Sequence, residues 1–287
     1  MSMPAMITAT INQVKALIQL LCTEESRTNT RLVREKLIEL GNISVPFLEE
    51  ALGRTDTLER ERIESVLQDI RWLGLEGQFR SWAVQGSDLE EGAFLLARFC
   101  YPDLDVGQYR KVLDRMAGEV RPRIKSLRRS PDVVRTLNYH LFDHLGFHGN
   151  TVNYYDPDNS YLNQVIDQRL GIPISLSVVM LLVAKRLDLP LVGVGLPGHF
   201  LVRYEGAGQK PGPQIYIDPF NRGQVLTKEE CTKFVKEAGY EYREEYFRTF
   251  ASSEILVRMM RNLIFVYNRL QEAQKVEWLS RYVMAVA

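Results

Sequence analysis

Residues 159–206 read NSYLNQVIDQRLGIPISLSVVMLLVAKRLDLPLVGVGLPGHFLVRYEG, and this stretch decides the fold. Ser160 is placed to cap a short helix and Gly171 to stop it. GIPISLSVVMLLVAKRL then predicts a second helix with Pro173 in its first turn, where a missing N–H costs nothing. Ile174, Leu176, Val178, Val179, Met180, Leu181, Leu182 and Val183 make that helix apolar nearly all round, as a buried central helix is. Asp188 and Pro190 end it, and LVGVGL becomes a strand. His199 begins an alternating run, Phe200, Val202 and Tyr204 against Leu201, Arg203 and Glu205, that reads as the next strand. Residues 215–217 form another, closed by Asp218 just before Pro219. A His and an Asp at facing ends of neighbouring strands are two of the three members of a nucleophilic triad, and they are expected within hydrogen-bond reach of each other.

Upstream, helical spacing runs from residue 6 to about 83: Val14, Leu17, Ile18 and Leu21, then Leu32, Val33, Leu37 and Leu40. Gly41 stops one helix, and SVPFLEEAL restarts with Ser44 as cap and Pro46 in the first turn. Residues 32–74 resemble an antiparallel helical repeat of the HEAT type, with Leu-Gly before the inter-helix turn and Val-Pro after it. Residues 90–120 predict two further helices parted by YPDLD, and another runs from Pro131 to about Leu145 until Gly146 and Gly149 end it. RPRIKSLRRS, residues 121–130, is a basic cluster read as a solvated face. Residues 253–282 are amphipathic again through Leu256, Met259, Met260, Leu263, Ile264 and Tyr267, like the first helix of a repeat pair whose second helix stops short at Ala287. The expected division is 1–85 helical and HEAT-like, 86–250 the core domain, and 251–287 a C-terminal helical segment, a partial TPR-like unit.

The 287 residues carry 36 basic and 36 acidic side chains, so no global field recruits nucleic acid or anionic membrane, and self-association is compatible with the balance. Three widely separated cysteines, Cys22, Cys100 and Cys231, lack metal-ligand spacing and point to a reducing, cytoplasmic-type compartment. No basic n-region with a long apolar core is seen, so no signal peptide is expected. The longest apolar run, residues 178–184, is far too short for a bilayer.

The order helix, His strand, Asp strand resembles the papain-like transglutaminase core, in particular the SirB-type branch of transglutaminase-like proteins. The residues that carry the resemblance are Asn159-Ser160, Gly171-Ile172-Pro173-Ile174-Ser175-Leu176, Pro197-Gly198-His199-Phe200 and Asp218-Pro219-Phe220, with ARFCYPDLDVGQY and LFDHLGFHGN upstream. The resemblance implies an α+β fold, a buried helix packed on a small antiparallel sheet. It also implies a regulator-like role in a bacterial cytosol or plastid stroma, with protein partners and no cofactor.

Active members of the superfamily carry Gly-x-Cys at the head of the buried helix, and by the same resemblance that cysteine position falls on Pro173. Proline offers no nucleophile, so His199 and Asp218 are expected to be vestigial. Ser175 is the alternative nucleophile, but a two-residue step turns roughly 200° round a helix and points it away from the face of Pro173. Ser177 returns to that face about 6 Å deeper. Cys22 and Cys100 read as core residues, whereas Cys231 near a helix start gains some thiolate stabilisation but follows both His and Asp in the chain. Asn159 and Gly198 are expected to border a binding cleft. His140 and His144 have zinc-ligand spacing, yet no third ligand is evident, and His148 follows the glycine that ends the helix. No metal is therefore expected, and NYHLFDHLGF is read with Leu141, Phe142 and Leu145 inward and the imidazoles near the surface. Two functions compete: a non-catalytic interaction or regulatory protein, and a hydrolase or acyltransferase using His199, Asp218 and a serine.

Overall fold

The computed structural model describes residues 3–54, 57–127, 129–206 and 214–287, with residues 3–9 and 57 described by backbone alone. Arg128 of the basic cluster lies outside the described residues. The chain forms two compact units, Met1–Gly77 and Gln78–Ala287, so the division falls earlier than the expected break after residue 85, and 251–287 belongs to the second unit.

The first unit holds α1 (Met3–Thr23), α2 (Arg27–Leu40), α3 (Val45–Leu52) and the first turns of α4 (Thr57–Val84). The three- and four-residue spacing of their apolar positions places Val14, Leu21, Leu37, Leu48, Ile63 and Val66 in one core. Gly41 ends α2 with φ +56°, a conformation that suits a residue without Cβ. Ser44 precedes α3, but its hydroxyl donates to Leu37 O at 3.1 Å and caps nothing.

The second unit continues with α5 (Leu89–Ala97), α6 (Val106–Lys125) and α7 (Ser130–Asn138), which passes into a π-helical segment, Tyr139–His144. Asp88 and Asp105 cap α5 and α6 through their side chains. Then follow β1 (His148–Gly149), α8 (Leu162–Gln168), β2 (Leu170–Gly171), α9 (Pro173–Arg186), β3 (Leu191–Leu196), β4 (His199–Tyr204), β5 (Ile215–Asp218), β6 (Gln224–Leu226), α10 (Lys228–Glu237), α11 (Ser252–Arg269) and α12 (Ala273–Val286). Among the described residues β3 to β6 form an antiparallel four-stranded meander, and β1 and β2 pair in parallel. This is an α-rich chain with a small antiparallel sheet flanked by helices.

Helix α9 is buried from Pro173 to Ala184, as its all-round apolar character requires. The boundaries of α8, the helix before it, correct two expectations. Tyr161, not Ser160, is the N-cap of α8, and Arg169 at φ +60° ends it. Gly171 instead pairs with Gly149 in the parallel ladder. A Cβ at Gly171 would lie 2.7 Å from Ser175 Oγ, so the close approach of ladder and helix head requires glycine.

Strand β4 is also buried more completely than alternation predicted, since Phe200, Leu201, Val202, Arg203 and Tyr204 are all inside. Val194, Leu196, Leu201 and Tyr216 pack with Cys231 and Val235 of α10 and with Phe247. No residue of α9 joins that cluster, although α9 packs on β3 and β4; it covers the opposite face. Arg203 turns inward and satisfies its guanidinium with Phe247 O, Glu205 and Thr249.

Candidate functional site

Sheet register brings His199 and Asp218 together. Leu196 pairs with His199 across the β3–β4 turn, in which exposed Gly198 adopts φ +72°. Val202 pairs with Ile217, and one further step sets Asp218 opposite Leu201. His199 and Asp218 are then diagonal neighbours on one face, within reach of long side chains. The imidazole Nε2 lies 2.7 Å from Asp218 Oδ2.

Asp218 is 4% exposed and both its oxygens are matched. Oδ1 accepts from the backbone N–H of Phe220 at 3.1 Å and of Asn221 at 3.2 Å. Oδ2 accepts from Asn221 Nδ2 at 2.8 Å as well as from the imidazole. Burial is the largest influence on this carboxyl and pushes its pKa up, but the bonds from His199 and Asn221 outweigh it, and the group is held below the ordinary aspartate value. An ionised carboxylate only accepts, so Nε2 carries the shared proton, and Nδ1 is the ring nitrogen turned away from the carboxylate. Nδ1 has no hydrogen-bond partner among the described residues.

Two aromatic rings frame the imidazole. Phe220 meets it edge-on at 6.3 Å and Phe234 of α10 packs at 5.3 Å. Phe220 also ties the pair to the helix head. Its carbonyl accepts from Gly149 N at 3.0 Å, and a Cβ at Gly149 would stand 2.5 Å from its ring. Arg258 of α11 donates from Nη2 to Leu196 O at 2.8 Å and to His199 O at 2.7 Å, clamping the turn that carries His199.

The other expected residues fall elsewhere. Pro173 is buried at the first position of α9. Ser175 is wholly buried, with its hydroxyl 2.5 Å from Asn159 O and 3.1 Å from Ile172 O while it accepts from Ile172 N at 3.1 Å. It closes the head of the helix and does not bond to His199. Ser177 Oγ donates to Pro173 O at 2.7 Å.

Asn159 does not border an open cleft as expected. It is 1% exposed, and its amide joins Asn153 O, Tyr154 O and Asn150 Nδ2. It braces the loop before α8, because a buried amide is held wherever its donors and acceptor are all matched.

Cys231 is likewise corrected. Its expected activation fails because it is fully buried against the sheet, and burial, with the nearby acidic groups Glu230 and Asp218, pushes the thiol up to about 12. Cys100 Sγ sits 3.2 Å from the hydroxyls of both Tyr161 and Tyr267.

His140 is also not near the surface. It is 1% exposed, while His144 is exposed. The π-helical turn, with its wider i→i+5 bonding, carries the ring inward beside Leu141 and Phe142.

Sequence reasoning missed Asn221, Phe234 and Arg258. Asn221 had a local signal, since an Asp followed by Pro and a second Asx marks a side-chain-bonded turn. Arg258 had none, because it lies beside the buried stripe of α11 and its acceptors, Leu196 O and His199 O, are far away in the chain.

A domain model of the transglutaminase-like superfamily matches residues 107–261, more than half of the chain, which therefore belongs to that superfamily. The chain is 41% identical over 186 residues to a UPF0162 protein of Xylella fastidiosa, covering 61% of this chain and 63% of that one. It is 30% identical over 247 residues to F-box only protein 21 of Mus musculus, covering 76% of this chain but 39% of the mouse protein. A UPF0162 protein of Vibrio cholerae is 34% identical over 88 residues, 31% of each chain. The matched part thus spans under two thirds of the length of these relatives. No solved structure matches the chain. No helix of the described residues is long and apolar enough to cross a membrane.

Proposed function

We propose that the protein is a non-catalytic member of its superfamily, a pseudo-enzyme that acts as a protein-interaction or regulatory factor. One observation carries this reading: the free nitrogen of the His199–Asp218 pair meets no hydroxyl or thiol among the described residues. Ser175 and Ser177 are committed to backbone carbonyls, Cys231 is a buried, neutral thiol, and the head of α9 is Pro173. A triad needs the base within hydrogen-bond reach of its nucleophile. The pair in this reading pins two strands together. The match to a segment of a longer F-box only protein supports a module that works alongside other parts of a chain. Within the same reading we assign the protein to the SirB-type branch, the helices of the first unit to a HEAT-type pair, and the setting to a bacterial cytosol or plastid stroma.

The open Nδ1 favours a second reading, a hydrolase or acyltransferase in which the pair activates a serine. Treatment of the native chain with an activated acyl ester and with an alkylating agent near neutral pH separates the two. The pseudo-enzyme leaves Ser175 unacylated, and Cys231 alkylates only after unfolding. Stoichiometric acylation of Ser175 that disappears in His199→Ala establishes the hydrolase instead.

A further inference from the structure

A second histidine cluster lies in the π-helical segment, away from the His199–Asp218 pair. Glu119 of α6, His140 and His144 each present a ligand atom, and these atoms lie within 4.8 Å of one another. The two imidazoles stack with centroids 5.6 Å apart. His140 Nε2 is buried and has no hydrogen-bond partner. Its nearest acidic oxygen, Glu119 Oε2, is 3.9 Å away, too far to be one. A buried nitrogen is rarely left bare, and where it is, an ion or water is the usual missing partner.

The geometry points to a divalent-cation site of the zinc type built from Glu119, His140 and His144. Two imidazoles and a carboxylate are a borderline nitrogen and oxygen donor set suited to Zn²⁺. Tetrahedral ligands at ordinary Zn²⁺ distances stand about 3.4 Å apart, so the cluster must close slightly. Glu119 and His144 are exposed, so their side chains rotate freely onto an ion held at the fixed Nε2 of His140, with the fourth position open to solvent.

Two further features fit ligation. Burial, the largest influence, together with the charges of His144 and Arg123 holds the His140 pKa below the ordinary value against the raising effect of Glu119, and the neutral ring is the ligating form. π-helical turns are also frequent at functional sites.

The last residue of α7 and the π-helical segment together anchor the turn after Asp218. Asn138 Nδ2 donates to Gly223 O at 2.6 Å, and a Cβ at Gly223 would stand 2.4 Å from the Phe142 ring. A cation on His140 would stiffen the helix that supports that turn.

Calorimetric titration of the tag-free full chain with Zn²⁺ tests the site, with Co²⁺ as an optical probe for tetrahedral nitrogen and oxygen ligation. One ion per chain is expected. Glu119→Gln and His144→Ala, both at exposed positions, should each weaken binding at least about tenfold while circular dichroism stays at wild type. His148→Ala, outside the cluster, should bind as wild type does. Undetectable binding by the wild-type chain, or affinity unchanged in both Glu119→Gln and His144→Ala, overturns the assignment.

Discussion

The two histidine sites use the same residue types with opposite hydrogen-bond complements. At His199 the carboxylate is buried and every oxygen has donors: an imidazole, a side-chain amide and two backbone N–H groups. At His140 the carboxylate of Glu119 is exposed, and it is the buried imidazole that lacks a partner. A closed network holds strands in register and needs nothing further. An open one has capacity left for a ligand. The contrast shows that a buried His near an acid carries little information until each nitrogen and oxygen has been assigned a partner.

The largest effect that would break this comparison is expected from Asp218→Ala. It strips the acceptor from four donors around a buried pair and should cost about 3–5 kcal/mol, read from urea unfolding with an unchanged slope. A loss under about 1 kcal/mol would mean that the network is not closed. His199→Ala removes one donor of four and should cost about 1–3 kcal/mol. An unaltered urea midpoint in that variant would argue that the histidine is kept for chemistry and not for structure.

The acid limb sharpens the comparison at smaller amplitude. The Asp218 pKa is depressed from its ordinary value of 3.8, so its contribution is complete above that value and is lost as pH falls through the lower, folded-state value. Asn221→Ala, which deletes one of the bonds responsible, should cost about 0.5–1.5 kcal/mol at neutral pH. That difference should shrink below pH 3.8, measured as urea midpoints across the acid range. A constant difference at all pH values would show that Asn221 does not act through the carboxylate.

The smallest change is expected at the open site. His140→Leu exchanges an unpartnered imidazole for an apolar side chain and, in metal-free buffer, should shift stability by no more than about 1 kcal/mol. A loss as large as that of His199→Ala would show that Nε2 is already satisfied without an ion.

Much of the fold was legible in the chain because it rests on local patterns. The unbroken apolar character of residues 174–183 demanded a buried helix, and α9 is buried over that span. Strong β-forming runs after Pro190 gave β3, β4 and β5 in order, and the positions of His199 and Asp218 at strand ends followed from them. The local cap at α8 was misread because Ser160 and Gly171 are drawn into other contacts, the second into a ladder that only glycine fits. The reading of His140 as a surface residue failed because a π-helical turn shifts the phase of the helix, and four-residue spacing carries no sign of it.

By itself the sequence determined the elements that periodicity and turn chemistry specify: the helices, the buried central one among them, the strand order, and a His and an Asp brought to neighbouring strand ends. Tertiary structure alone decided which polar atoms have partners. Asn221 and Arg258 reach the site from a turn and from a distant helix, Ser175 is closed off by a carbonyl sixteen residues away in the chain, and Glu119 meets His140 across two helical segments. Periodicity records which side of an element is apolar. It carries no information on the partner of a buried polar atom, because that partner comes from another part of the chain, at a distance set only when the elements pack.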